Sequence, residues 1–198
     1  TREYARLLKR KGVDFMNLED SVPFGDLAKY SGAAVIFGAT GGVMEAALRT
    51  VSEILEGEIT PIEYTAARGM EGIKEATLNV AGIDVNIAVV HGGSSIKDFF
   101  AKIKKSKKQY HFVEFMACTG GCINGGGQPI HPAKVQDAVD IRAERAKTLY
   151  EMDSSNEKRK SHNNPFVMGL YKDWLTEPGS HKAHDLLHTK YKPRNFYK

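Results

Sequence analysis

Both cysteines of this 198-residue chain lie in one run, Glu114-Phe115-Met116-Ala117-Cys118-Thr119-Gly120-Gly121-Cys122-Ile123-Asn124-Gly125-Gly126-Gly127-Gln128-Pro129, which is also its densest cluster of glycines. Glycine fills two of the three places between the thiols, and three more glycines follow. Such a backbone can approach a bulky group closely, and thiolates are soft metal ligands. A metal–sulfur cluster is the kind of object this loop can border. Plainer chemistries compete on the same residues. Two nearby thiols can pack as small apolar groups. They can form a disulfide, although one pair is not the framework of a disulfide-stapled fold. They can also hold zinc, with His111 or His131 drafted as further ligands; a small tetrahedral ion does not need so much cleared backbone. An iron–sulfur cubane usually takes four thiolates. With two on this chain, the other two would come from other polypeptide.

The elements that would position this loop follow from pattern. Glu3 to Lys11 reads as a helix with apolar Tyr4, Leu7 and Leu8, stopped by Gly12, and turn residues including Pro23 and Gly25 come next. From Thr40 a helix is expected, because Met44, Ala47, Leu48, Val51, Ile54 and Leu55 recur at helical spacing and Glu45 can face Arg49. Gly57 ends it. A β region is expected over Ile62–Arg68, Ile73–Val80 and Ile83–Val90, the last two joined as a hairpin by Ala81-Gly82. Lys97 to Ile103 reads as a helix, and Tyr110 to Phe115 as a buried strand that delivers the cysteine loop. A long helix is expected from Ala133 to Glu151, then a polar break at Asp153–Asn164 and two short helices. There is no internal repeat.

A second glycine-rich segment, Phe37 to Gly42, leads into the helix expected from Thr40. If the two segments face each other, glycine backbone and a helix N-terminus would border an anionic cluster. Gly38-Ala39-Thr40-Gly41-Gly42 lacks the ending of a P-loop and the spacing of a dinucleotide fingerprint. His184 and His188 have a spacing that can bind zinc but no accompanying glutamate motif, and read as structural histidines. Glu114 could serve proton traffic or be hydrogen-bonded at a strand end, and reads as the second. Tyr171, Trp174 and Leu175 read as helix core.

The Met-Ala-Cys-x-Gly-Gly-Cys-x-Asn-Gly-Gly-Gly-Gln-Pro run resembles the third cluster-binding signature of the iron-only (FeFe) hydrogenases. Tyr30 to Arg49 resembles that family's segment running into the helix beside the diiron site. Arg159 to Pro165 and Ala183 to His188 resemble its C-terminal helices, so the likeness runs from Thr1 to about Tyr191. It implies an α/β fold with a mixed twisted sheet flanked by helices, one lobe of the two-lobed catalytic domain, with C-terminal helices. It also implies a division into residues 1–152, large-subunit-like, and residues 153–198, small-subunit-like.

The resemblance implies roles for individual residues. Cys118 matches the terminal ligand of a 4Fe-4S cubane. Cys122 matches the cysteine that bridges the cubane to a diiron unit carrying CO, cyanide and a dithiolate bridge, the whole forming the H-cluster. Met116 matches a methionine beside the diiron unit, and Phe37, Gly38 and Val43 match residues lining its pocket. The implied reaction is the interconversion of two protons and two electrons with H2. Electrons would pass to a ferredoxin or a flavin/NAD subunit. The two earlier cysteine signatures of the family are not in this sequence, so the chain is expected to be the C-terminal half of the catalytic domain, a fragment or one polypeptide of a split enzyme, and inactive alone. A cytosolic iron–sulfur assembly factor, a hydrogen sensor and a plain electron-transfer module are the competing functions.

Composition sets outer bounds. With 41% hydrophobic residues the chain can bury a core. No apolar run approaches the roughly 20 residues needed to span a bilayer, and a net charge of +4 is too small to imply nucleic acid. The basic run Lys102-Ile103-Lys104-Lys105-Ser106-Lys107-Lys108 reads as solvated surface, or else as a dock for an acidic electron carrier. Cytoplasm is the expected compartment.

Overall fold

The computed structural model describes residues 1–21, 30–57 and 61–193. The expected turn at Pro23 and Gly25 lies outside them. Helix α1 (Arg2–Arg10) opens the chain, and Gly12 at φ +66° follows its end. Its Tyr4 and Leu7 stay exposed, and no residue of α1 is buried. A short α2 (Gly32–Ile36), which periodicity did not reveal, is capped by the Ser31 hydroxyl accepting from the Ala34 amide at 3.3 Å. Then comes the long helix α3 (Gly42–Glu56), ended by Gly57 at φ +90°.

Strands β1 (Ile73–Val80) and β2 (Ile83–His91) form the expected hairpin, with Val80 opposite Ile83. Helix α4 (Gly93–Ile103) then carries the chain over to β3 (Phe112–Met116), which pairs parallel to β2 with His91 opposite Met116. The sheet is therefore mixed, in the order β1-β2-β3. In strand β2, Ile87 to His91 are all buried. The reason is its central position between two helical layers. Ile87 and Val89 pack on Met44 and Leu48 of α3, while Ala88 and Val90 pack on Phe99 of α4.

The segment Ile62–Arg68 is not a strand. It holds a single 3-10 turn at Thr65–Ala67, because Tyr64 and Ala67 are spaced to sit together on α3. The Tyr64 hydroxyl meets the Ser52 hydroxyl at 2.5 Å. The long helix expected over Ala133–Glu151 is two helices, α5 (Ala133–Ala138) and α6 (Ile141–Ser154). Asp140 breaks it by capping α6, accepting from the Arg142 and Ala143 amides at 3.0 and 3.2 Å. Two short helices follow as expected, α7 (Pro165–Leu170) and α8 (His181–Leu187), with a wide turn at Tyr171–Leu175 after α7. In that turn Leu175 is buried, but Trp174 is exposed, with Lys182 over its ring at 5.1 Å.

Helix α3 shows where a pattern of apolar residues misleads. Met44 and Leu48 are core, but Val51, Ile54 and Leu55 are exposed. The Glu45–Arg49 pair forms at 2.8 Å, yet it is fully buried. Arg49 also reaches Asp153 at the end of α6, and Glu45 accepts from Arg68 at 2.7 Å. The polar break beginning at Asp153 therefore sends three residues inward, Asp153, Lys160 and Asn164, while Ser154, Ser155, Glu157 and Asn163 stay exposed.

Candidate metal centre

Strands β2 and β3 run parallel and end side by side, and the cysteine loop leaves from the end of β3. Met116 closes that strand, half-buried, and Cys118 and Cys122 are free and exposed. The turn between them uses Gly120 at φ +85° and Gly121 at φ +98°, backbone that other residues rarely adopt. A side chain at Gly121 would lie 2.7 Å from the Gly38 carbonyl oxygen and 2.8 Å from the Thr40 nitrogen. The two glycine-rich segments therefore do face each other. Main-chain bonds lock them: the Thr40 amide donates to the Gly120 carbonyl at 3.0 Å, and the Ile123 amide to the Gly38 carbonyl at 3.1 Å.

One part of the expectation is corrected. The first amides of α3 are not left open toward a cluster. Glu114 of β3 accepts from the Gly41 amide at 2.6 Å and the Met44 amide at 2.8 Å, filling that helix end with a carboxylate of the chain itself. The strand-end hydrogen bonding foreseen for Glu114 is present, and it joins β3 to α3.

Phe37 and Val43 lie together on the border of a shallow apolar depression shared with Ala47 and Thr50. Phe37 is exposed and Val43 half-buried. Neither cysteine nor Met116 borders that depression. Gly38 is the residue that joins the two groups, since its carbonyl binds the amide next to Cys122.

Two supports of the loop escaped sequence reasoning. The buried His91 accepts the Gly120 amide on Nδ1 at 3.0 Å, so Nε2 carries the proton. That Nε2 is buried with no hydrogen-bond partner among the described residues. Burial, then the nearby Lys74, pushes the imidazole below its ordinary pKa, which keeps Nδ1 an acceptor. Arg145 of α6 donates to the Ile123 carbonyl at 2.9 Å and the Pro129 carbonyl at 3.0 Å, on the other side of the loop. A histidine closing an apolar strand and an arginine on a charged helix carry no local signal of such roles.

The donor set decides what the loop can hold. Among the described residues no group of three or more His, Cys, Asp or Glu side chains could hold a metal ion. His111 Nδ1 accepts from the Asn86 amide at 2.9 Å and His131 Nε2 sits 3.3 Å from Arg145, and neither joins the cysteines in such a group. His184 and His188 stack on each other, ring centroids 4.2 Å apart. What remains is two exposed thiols on a rigid glycine turn with a thioether at its base. That is half the ligand set of a cubane, and its soft thiolate donors fit such a group.

This mixed sheet with flanking helices, carrying such a loop, has close counterparts. Residues 1–126 match the family described as iron only hydrogenase large subunit, C-terminal domain, and residues 139–194 match iron hydrogenase small subunit. The chain belongs to the iron-only hydrogenase family. It is 46% identical to iron hydrogenase 1 of Clostridium pasteurianum over 97% of its length, covering 34% of that protein. It is 32% identical to cytosolic iron-sulfur assembly component 3 of Rattus norvegicus over 96% of its length, covering 40% of that protein. The FeFe-hydrogenase HydA1 of Chlamydomonas reinhardtii superposes with a TM-score of 0.72 at 34% identity, over 96% of this chain and 53% of that one. The chain thus spans well under two thirds of these relatives. No helix of the described residues is long and apolar enough to cross a membrane.

Proposed function

We propose that this chain is part of an iron-only hydrogenase, in which Cys118 and Cys122 hold one side of an H-cluster for the reaction 2 H+ + 2 e- to H2. The observation that carries the reading is the exposed thiol pair on a glycine turn clasped to the Phe37–Gly42 segment. In this reading Cys118 and Cys122 would hold the cluster, and Met116, Phe37, Gly38 and Val43 would line its diiron side. When bound, the H-cluster supplies the heterolytic chemistry of H2 and the exit for electrons. The chain's own work is positional: the turn presents two thiolates, apolar Phe37 and Val43 exclude water, and Met116 offers a soft wall without a titrating group.

The rest of the catalytic domain, on an upstream segment or a separate chain, supplies the other two thiolates. The chain alone is inactive in this reading. The relatives support it, since the match to a hydrogenase is closer than that to the assembly component. Residues 1–152 form the large-subunit-like part and 153–198 the small-subunit-like part, fused here, with cytoplasm as the compartment and a ferredoxin or flavin/NAD subunit as electron partner. The assembly-factor reading stands second, because that relative spans the same residues.

The test is an infrared spectrum of the native assembly. Carbonyl and cyanide stretches that shift under H2 support the hydrogenase. Iron–sulfur absorption without those stretches, in protein matured with a diiron precursor, favours the assembly factor.

A further inference from the structure

Glu114 is a buried carboxylate that the proposed reaction does not use, since it points neither at the thiols nor at solvent. Both its oxygens are spent on the start of α3: Oε1 accepts from the Gly41 amide at 2.6 Å and Oε2 from the Met44 amide at 2.8 Å. Gly41 sits at φ +89°, directly after Thr40, whose amide binds the cysteine loop. Glu114 itself lies two residues before Met116 and four before Cys118. One side chain therefore bolts the strand that carries the thiols to the turn that carries Gly38 and Thr40.

The chemistry suits a fixed joint. A carboxylate at a helix N-terminus meets two amides otherwise without partners and the positive end of the helix dipole. Charge-assisted bonds are shorter and stiffer than neutral ones. Around it, Lys74 is buried with its ammonium on the Gly69 carbonyl at 2.7 Å, so it does not compete for the carboxylate. No water-filled route is needed for this role.

We infer that Glu114 is a positioning residue: it fixes the distance between the Gly38–Val43 wall and the Cys118–Cys122 turn, and so sets the shape of the space between them. The inference rests on the proposed cofactor site for its consequence, but its geometry is a property of the chain. Glu114→Gln keeps the shape and loses the effect, because its amide group would face a backbone N–H donor to donor. Glu114→Asp keeps the charge and falls short of one of the two amides.

The experiment is residue-resolved hydrogen exchange on the whole protein before cofactor loading, with Phe99→Leu as a variant weakened on the opposite face of the sheet. In Glu114→Gln, exchange at Thr40 and Ile123 is expected to accelerate at least about tenfold more than exchange at Val89 and Val90. In Phe99→Leu that excess is absent. In loaded protein the infrared stretches of Glu114→Gln are displaced and broadened, and those of Phe99→Leu stay in place. No excess at Thr40 and Ile123, or stretches that do not move, overturns the inference. If Glu114→Gln does not fold, the same two readouts in Glu114→Asp decide. A wild-type protein with no such stretches sinks the hydrogenase reading instead, and the exchange ratio still decides the role of Glu114.

Discussion

Arg49 and Asp153 meet as a bidentate pair, Nη1 to Oδ1 at 2.7 Å and Nη2 to Oδ2 at 2.8 Å, with neither side chain reaching solvent. They come from the middle of α3 and the end of α6, 104 residues apart. Burial opposes the charge on Asp153, but Arg49 and Arg159 prevail and hold its carboxyl below the ordinary range. Arg49 completes its fork on Glu45, the Ile62 carbonyl and the Arg159 carbonyl. Breaking a buried pair by removing one partner strands the other charge. Asp153→Asn is expected to cost about 3 kcal/mol or more, read as a fall in the urea midpoint. Because the folded pKa of Asp153 is depressed, its contribution is present above the unfolded value and lost as pH falls through the folded one.

Gly121→Ala is expected to destabilise the chain by about 2 kcal/mol or more, through backbone strain at φ +98° and a side chain driven into Gly38 and Thr40. Gly126→Ala meets nothing within 4 Å and should change stability by less than about 0.5 kcal/mol. Urea unfolding of the two variants side by side makes the comparison. Equal losses would mean that the close approach at Gly121 is not a constraint.

These glycines show what was legible in the sequence and what was not. The sequence raised the facing of the two glycine-rich segments only as a condition; the structure supplies it, since a side chain at Gly121 would meet Gly38 and Thr40. The hairpin was readable from Ala81-Gly82 and α4 from its apolar positions, but β3 is not the buried strand expected: Phe112 and Phe115 are exposed and its buried residue is Glu114. The strand expected at Ile62–Arg68 failed because Tyr64 and Ala67 are placed for a helix face, and a run of seven residues does not reveal which partner it packs on. Asp140 was an N-cap hidden inside an apparently continuous helix. Asp153 read as a linker, because burial of a charge depends on a partner far away in the chain.

Lys74 gives a test of burial by pH. Burial depresses its ammonium to about 8, with Glu114 and Glu71 acting in the other direction. Between about 8 and the model-peptide value of about 10.4 the unfolded chain binds more protons than the folded one. Stability is therefore expected to rise as pH rises from about 8 toward 10 and to gain nothing further from Lys74 above that. Tyr110, raised to about 12 by burial and by Glu75, contributes the opposite slope only above its unfolded pKa near 10. In Lys74→Met the rise should vanish, as followed by the urea midpoint at successive pH values.

Cys118→Ser and Cys122→Ser should each leave the metal-free chain within about 0.5 kcal/mol of wild type, since both thiols are exposed. In the assembled protein each should lower bound iron. A large loss of stability without metal would make the thiols packing groups, and unchanged iron content would remove them from the ligand set.

The clasp between the two segments has a consequence for tolerance to change. Thr40 to Gly120 and Ile123 to Gly38 are joined amide to carbonyl, with no side chain in either bond. A junction written in main chain is indifferent to most side-chain identities. A position such as Thr119, exposed on the loop, can vary without moving the thiols, provided the glycines stay and Asn124 keeps its side-chain bond to the Thr119 carbonyl at 3.1 Å. The turn is thus a mount that can outlast changes in what surrounds it, and new neighbours can be tried around the same pair of sulfurs without rebuilding the scaffold beneath them.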